Sequence, residues 1–254
     1  VVPWTKEIKE QILSAVVCHG IESIGDRAFD CPHLTTIHIS EGVKKIGMYS
    51  FNRCDNFQSI YIPASVETIG INPFAGCKNL SVVEVNKESN DFVSLEGILF
   101  DKKMTRLIFC SRTKSGVYTI PDSVEYIDFS AFKGCRRLTS ITITNSVSST
   151  GQSVFMDCHR LASVWISNSL KVIKKNLFTH CYELFSVTIG DRVEKIESAA
   201  FSRCGMKSIV IPASVTCIQK GAFADCNKLT SVSIHKGLAF EDGAFPEKAG
   251  IQLY

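Results

Sequence analysis

Phenylalanine recurs along this chain at a nearly fixed interval. Successive positions are 22 or 23 residues apart except across one gap of 58: Phe29, Phe51, Phe74, Phe132, Phe155, Phe178, Phe201, Phe223 and Phe245. Around each of them the same frame returns, approximately VxxIGxxAFxxCxxLxxIxIP. A fixed period of this length is the signature of repeat architectures, in which each unit packs only against its neighbours. The sequence therefore predicts a solenoid.

Each repeat contains an extended segment followed by a turn. In residues 161–166 apolar side chains alternate with others near the end of the segment, which is the period of a half-buried strand. Proline and serine after such a segment, as at Pro63 and Ser65, close the strand and turn the chain. One unit cannot cover its own apolar side, but units stacked about 4.8 Å apart bury a continuous core.

The repeated frame, with a cysteine three residues after Phe and then LxxIxIP, resembles the BspA-like (Treponema pallidum-type) class of leucine-rich repeats. The resemblance implies a leucine-rich-repeat right-handed coil with a parallel concave β-sheet and about ten coils of 22–23 residues. It also implies an extracellular adhesion or recognition protein without catalytic residues, since the family is found mainly on bacterial surfaces and in some parasitic protists. The family's concave strands correspond here to residues 35–39, 58–62, 81–85, 139–143, 162–166, 185–189, 207–211 and 230–234.

The whole chain, residues 1–254, is predicted to be one domain with four parts. Residues 1–18 lack the frame and are predicted to be an N-terminal cap, with apolar residues at partly helical spacing and Trp4 available to cover the first coil. Regular repeats follow at 19–85 and again at 121–254. Residues 251–254 suggest a final strand.

Between the two regular stretches, residues 86–120 are predicted to form irregular, longer repeats with loop insertions. Residues 97–100 with 107–110 suggest one unit, and residues 117–121 with 124–127 the next. The extra residues, 86–91 and 111–116, are polar and suit loops that protrude from one edge. A change of length without a function is the alternative, because surface loops tolerate insertion.

The chain has eleven cysteines, eight of them at one repeat position. Because their number is odd, the cysteines cannot all be paired in disulfides. Equivalent side chains of stacked units also point in parallel rather than at one another. Free cysteine behaves as a small buried hydrophobe, so the eight are predicted to be reduced thiols inside the coil. Cys18, Cys110 and Cys217 lie off this repeat position.

The sequence offers few residue patterns that are typical of catalytic or metal-binding sites. His159 and His180 flank repeat cysteines and could approach each other on adjacent turns, but their spacing is not a ligand motif. The chain contains no GxSxG, Walker, HExxH or CxxC motif. Neither an enzyme nor a bound metal or cofactor is predicted.

Binding is predicted on the outward side of the concave strands. In a strand whose Leu, Ile and Ile point inward, the residue between the last two points outward. Aromatic residues in that column carry large contact area, and the tentative contacts are Tyr61, Phe109, Trp165, His38 and Glu84. Two alternatives remain: cross-strand packing alone accounts for the aromatic residues, or the loops at 87–91 and 111–114 bind instead.

The predicted function is non-catalytic binding of a macromolecule. A net charge of +3 gives no field that favours nucleic acid, and no run of about 18 apolar residues indicates membrane insertion. The leading hypothesis is a monomeric, secreted or cell-surface adhesin, with any signal or anchor segment outside this sequence. Its ligand would be a protein or glycan of the host extracellular matrix or cell surface. The alternative is an intracellular interaction scaffold or signalling module.

Overall fold

The computed structural model describes residues 4–254, so residues 1–3 of the predicted cap lie outside the described part. The chain divides into an N-terminal unit, Val1–Thr113, and a C-terminal unit, Lys114–Tyr254. In both units, parallel strands recur once per repeat, and together the units contribute about ten turns of parallel β-solenoid. The solenoid prediction is confirmed.

The N-terminal unit begins with a short helix, α1 (Lys6–Lys9), which Thr5 caps by accepting a hydrogen bond from the Ile8 N–H. Its main strands lie one per repeat: β1 (Ser14–Val17), β3 (Thr36–Ile39), β5 (Ser59–Ile62) and β7 (Val82–Val85). They pair in parallel as β1 with β3 and β5 with β7. Two-residue strands form a second sheet on the return side: β2 (Ser23–Ile24), β4 (Lys45–Ile46) and β6 (Thr68–Ile69).

The predicted cap is less helical than its spacing indicates. Helix α1 has only four residues, and β1 begins at Ser14, inside the expected cap, and pairs with β3. Trp4 does cover the first coil, because its ring meets Phe29 edge-on at 5.5 Å between centroids. The first strand thus belongs to the main sheet although its residues lack the repeat frame.

Residues 92–110 form an antiparallel meander, which differs from the leucine-rich coil predicted for residues 97–110. Its strands are β8 (Phe92–Leu95), β9 (Ile98–Asp101) and β10 (Arg106–Cys110). Both adjacent pairs are antiparallel, with a register shift in β10 between Leu107 and Phe109. Antiparallel strands can be joined by a two-residue turn, which a parallel coil cannot use.

The C-terminal unit repeats the two-sheet arrangement. Its main strands are β11 (Ser115–Thr119), β13 (Arg137–Thr142), β15 (Ser163–Trp165), β17 (Ser186–Thr188), β19 (Ser208–Val210), β21 (Ser231–Ile234) and β23 (Gly250–Leu253). The short strands of the return side are β12 (Tyr126–Ile127), β14 (Ser149–Thr150), β16 (Val172–Ile173), β18 (Lys195–Ile196), β20 (Cys217–Ile218) and β22 (Ala239–Phe240). The main strands pair in parallel in two groups, β11 to β17 and β19 to β23.

The repeat phenylalanines stack into an internal column in each unit. In the C-terminal unit the ring centroids from Phe132 to Phe245 follow one another at 5.0–5.3 Å with interplanar angles of 5–29°. In the N-terminal unit Phe29, Phe51 and Phe74 stack at 5.4–5.7 Å. Offset stacks at this spacing add to the free energy of burial. The periodic phenylalanine is therefore a core position, as predicted.

The repeat cysteines form a second buried column of free thiols. In six repeats the Sγ donates a hydrogen bond to the carbonyl oxygen of the phenylalanine one repeat earlier, at 2.9–3.2 Å. The thiol thus adds a weak hydrogen bond to a buried carbonyl, which in four of these repeats also accepts a bond from the backbone N–H of its own repeat's cysteine. This confirms the buried thiols and explains why cysteine suits the position.

The residue before each of several repeat cysteines has left-handed backbone and carries a polar, ionisable side chain. Asp157, His180, Arg203 and Asp225 all have φ between 56° and 64°. Their side chains contact one another in order: Asp157 Oδ1 to His180 Nδ1 at 2.8 Å, His180 Nε2 to Arg203 Nη1 at 3.4 Å, and Arg203 Nε to Asp225 Oδ2 at 3.1 Å. Neighbouring repeats are therefore linked by polar contacts along one edge.

Candidate functional site

Three of the predicted contact residues share the outward column of the N-terminal unit. His38 lies on β3, Tyr61 on β5 and Glu84 on β7, and all three are exposed. Tyr61 is directly opposite Glu84 in the parallel register, and 48% of its surface is exposed. Alternation along the strands therefore places these side chains outward, as predicted.

A pocket of about 410 Å³ lies beside this column. Its walls come from the main strands and from the β8–β9 segment, and none of its lining residues lies in the rival loops at 87–91 and 111–114. The lining residues are Tyr61, Ser81, Val82, Val83, Glu84, Val85, Ser94, Glu96 and Gly97. The strand face and the β8–β9 segment thus form one surface, and the choice between the strand face and the two loops stays a prediction.

The insertion contributes through the β8–β9 hairpin. Leu95 pairs with Ile98, so the turn has two residues, Glu96 and Gly97, with φ of 49° and 76°. Positive φ at both positions is the type I′ turn that matches the twist of a hairpin. In the sequence, the Glu-Gly pair between two apolar segments indicates this hairpin, but it is overlooked when these residues are fitted to the repeat pattern.

Two hydrogen bonds hold the insertion on the main strands. Ser94 Oγ donates to the carbonyl of Val83, and Ser111 Oγ donates to that of Ser81 at 2.9 Å. A Cβ on Gly97 would lie 3.1 Å from the Cβ of Ser111, so the close approach favours glycine there. The pocket therefore has fixed walls.

The two predicted loops are anchored rather than freely protruding. Ser89 is buried, and its Oγ accepts hydrogen bonds from the N–H groups of Asp91 and Phe92. Lys102 Nζ donates to the Ser89 carbonyl at 2.6 Å. In the second loop Ser111 is also buried, and Ser115 already belongs to β11. Hydrogen bonds between serine hydroxyls and the backbone therefore hold both loops in place.

Phe109 is not an outward-facing residue, and this part of the prediction is wrong. Only 8% of its surface is exposed, and its ring meets Phe74 edge-on at 5.1 Å. The physical reason is that β10 belongs to the antiparallel meander, so the outward column of the main strands does not extend to it. Leu107 of the same strand is buried as well.

Trp165 lies on β15 of the C-terminal unit, opposite Thr142 and Thr188. The side chain is half-buried, so it protrudes less than an exposed aromatic would. Its role as a contact residue stays a prediction. The most exposed apolar residues of this unit's main-strand side are Val117 on β11, Phe185 just before β17 and Val210 on β19, at 62–72% exposure.

His159 and His180 lie on either side of one tyrosine. Their rings are 5.0 and 5.7 Å from the ring of Tyr182. Burial lowers the pKa of His159, and Arg136 lowers it further. Among residues 4–254, no three His, Cys, Asp or Glu side chains are grouped so that they could hold a metal ion. In the same range, no helix is long and apolar enough to cross a membrane.

Solved structures with the same fold include bacterial leucine-rich-repeat proteins. A leucine rich cell surface protein from Faecalibacterium prausnitzii A2-165 is 25% identical with a TM-score of 0.74, over 96% of this chain and 59% of that one. A leucine-rich repeat protein from Eubacterium ventriosum ATCC 27560 is 22% identical with a TM-score of 0.69, over 100% and 87%. The pneumococcal vaccine antigen PcpA is 18% identical with a TM-score of 0.70, over 94% and 62%.

The chain thus spans less than two thirds of the Faecalibacterium protein and of PcpA. No curated protein sequence matches it at a significant level. The model of the BspA type leucine rich repeat region, in six copies, matches residues 9–115 and 102–230. This family and fold are those of repeat proteins that bind other proteins and are generally non-catalytic. With matched segments extending from residue 9 to residue 230, the chain belongs to the BspA-type leucine-rich-repeat family.

Proposed function

We propose that this chain is a non-catalytic adhesin or recognition protein that works at the cell surface or outside the cell. The observation that carries the proposal is the pocket between the main strands and the β8–β9 hairpin. The likeness to a leucine rich cell surface protein supports the location. The binding partner is a protein, because the surface is broad, partly apolar and built on rigid strands.

The chemistry of the surface defines what its partner must present. Tyr61 and Val82 line the pocket together with the exposed Glu84 and expose 48% and 42% of their surfaces, and Leu95 of the adjoining hairpin exposes 46%. An exposed aromatic next to apolar side chains favours a partner with an apolar anchor residue. The carboxylate favours a lysine or arginine beside that anchor. His38, in the same column, extends the surface along the strands.

The test measures binding of the purified chain to immobilised extracellular-matrix proteins, with immobilised cytosolic proteins for comparison. We expect retention on the extracellular set, and we expect Tyr61→Ala to weaken it at least about tenfold, as loss of a hot-spot residue does. Glu84→Gln should weaken it less and make it less sensitive to salt.

Phe185→Ala is the control, because Phe185 is an exposed aromatic residue of the C-terminal unit, at 65% exposure, and lines neither this pocket nor any other surface proposed to bind. It should leave retention unchanged. Stronger binding to the cytosolic set would favour an intracellular scaffold and contradict the proposed location. Unchanged binding by Tyr61→Ala would exclude the strand–hairpin pocket as the binding surface.

A further inference from the structure

The turn after Cys204 is shorter than the corresponding turn of every other repeat. In seven of the eight repeats that carry the cysteine, two residues separate it from the next buried apolar residue, as in Cys181-Tyr182-Glu183-Leu184. After Cys204 only Gly205 intervenes before the buried Met206. One residue is therefore missing from this turn, and the residue that remains has no side chain.

The missing side chains leave a gap in a surface ridge. In the neighbouring repeats the two residues after the cysteine are exposed, Tyr182 and Glu183 on one side and Asn227 and Lys228 on the other. Between them lies a pocket of about 500 Å³, which we call the notch. Its lining residues are Tyr182, Arg203, Cys204, Gly205, Asp225, Asn227 and Lys228.

The floor of the notch cannot be refilled by a simple substitution. A Cβ on Gly205 would lie 2.2 Å from the carbonyl oxygen of Tyr182, which is shorter than any contact that two such atoms make. The glycine therefore packs its backbone directly against the preceding repeat. The notch is a consequence of the shortened turn and of this close packing together.

The shortened turn also leaves backbone donors without partners. Each of the seven regular turns is closed by the N–H of the buried apolar residue, which donates to the cysteine carbonyl at 2.9–3.5 Å. Met206 makes no such bond, and within residues 4–254 neither its N–H nor that of Gly205 donates to any atom. Unpaired N–H groups in a concave site are ready to receive an oxygen from a ligand.

Cationic side chains dominate the rim. Arg203 is held by Asp225, with Nε 3.1 Å from Oδ2, and Lys248 donates to the carbonyl of Asn227. The Lys228 ammonium has no hydrogen bond or ion pair in the described part of the chain. Among the residues that line the notch, Arg203 and Lys228 are cationic and Asp225 is the one carboxylate, while Glu183 flanks the lining on the Tyr182 side. The lining itself therefore carries one excess positive charge, which favours an anionic ligand.

We propose that the notch binds an acidic sugar residue of a glycan, separately from the protein-binding surface of the N-terminal unit. The Tyr182 ring offers a flat wall for the apolar C–H face of a pyranose. Lys228, Arg203 and the Gly205 N–H suit the carboxylate of the sugar as charge-assisted donors. The Asp225 carboxylate and the Asn227 amide supply acceptors for ring hydroxyls, which a simple anion would leave unused.

The test compares methyl glucuronide, methyl glucoside and acetate by saturation-transfer NMR on the full chain. The two sugars differ only in the carboxylate, and acetate carries the carboxylate without the ring. We expect the glucuronide to bind with a Kd of about 1 mM, and each of the other two to bind at least about tenfold more weakly. Absence of transfer from the glucuronide at about 10 mM would overturn the proposal. Equal binding of the glucoside would contradict an acidic ligand, and equal binding of acetate would contradict a sugar.

Variants assign the binding to the notch. Lys228→Gln and Tyr182→Ala should each weaken glucuronide binding about tenfold. Arg160→Gln is the matched control, because it occupies the position of Lys228 in a regular turn, and it should change the affinity by less than about twofold. Inserting one asparagine after Gly205 restores the regular turn length and should abolish binding. Retained binding in the first two variants would refute the site.

The result is independent of the protein-binding surface. Tyr61→Ala should leave glucuronide binding intact while it weakens protein binding. A chain that fails the matrix-protein test and still binds glucuronide in the notch would refute only the proposed function. One-dimensional NMR of each variant, compared with the parent spectrum, verifies that the chain is folded.

Discussion

Replacing Phe178 by alanine should destabilise the C-terminal unit strongly, because the residue lies in the middle of the stacked column. Its exposed fraction is 0%, and its ring is 5.3 Å from each of Phe155 and Phe201. The substitution removes a side-chain volume of about 100 Å³, which at about 24 cal/mol per Å³ costs about 2.4 kcal/mol before the lost transfer free energy. Because the neighbouring repeats relax into part of this volume, the cavity, transfer and ring-pair contributions together should lower the free energy of unfolding by about 4 kcal/mol, within the range of Phe→Ala substitutions in protein cores.

Phe245→Ala is the matched control at the end of the column. Phe245 is only partly buried, stacks on Phe223 at 5.0 Å and meets Phe240 edge-on at 5.5 Å. Because its surroundings can relax toward solvent, we expect a loss of about 2 kcal/mol. Urea unfolding of the full chain, monitored by circular dichroism, measures both losses. The dependence of the unfolding free energy on urea concentration must be the same for both variants and the parent, because repeat arrays can unfold in parts. Equal losses for the two variants would refute the stacked column as the main source of stability.

Three further measurements test the packing of the repeats. Iodoacetamide should label native Cys18, the exposed cysteine, long before the buried repeat thiols, and mass spectrometry that found buried thiols labelled at the same rate would contradict their burial. Burial raises the pKa of the Cys31 and Cys226 thiols from 9.0 to about 11. The contribution of these protonated thiols to folding stability is therefore complete below pH 9 and is lost as the pH rises to about 11. Urea midpoints of unfolding measured across that pH range should fall. Gly151→Ala should lower the free energy of unfolding by about 1–3 kcal/mol, because its Cβ would lie 2.4 Å from a backbone nitrogen of the neighbouring turn. Gly25→Ala has open space at the same repeat position and should change that free energy by less than about 0.5 kcal/mol. Thermal unfolding measures both changes.

The periodic residues predict the regular repeats well because each has one structural role wherever it occurs. Phe155 and Cys158 lie in the same internal columns as their equivalents, so the frame alone identifies core positions. Side-chain alternation likewise places Tyr61 and Glu84 outward. These inferences succeed because stacking forces equivalent residues into equivalent environments.

The same logic fails where the chain leaves the frame. Residues 97–100 with 107–110 are predicted to form a coil because apolar residues recur there, but apolar runs do not distinguish a parallel coil from an antiparallel meander. The turn at Glu96 and Gly97 decides between them, and Phe109 is buried as a result. The notch is visible in the sequence only as one absent residue after Cys204. Organisation of residues 1–254 as one domain, and the contact roles of His38 and Trp165, stay predictions.

The polar contacts from Asp157 to Asp225 influence which changes in the number of repeats such a protein tolerates. Loss of the unit containing His180 would bring Asp157 next to Arg203, which is again an attractive pair. Tandem duplication of the unit containing Arg203 would set two guanidinium groups side by side at a left-handed position. The number of repeats in this part of the solenoid should therefore decrease more readily than it increases, unless an acidic substitution accompanies the added repeat.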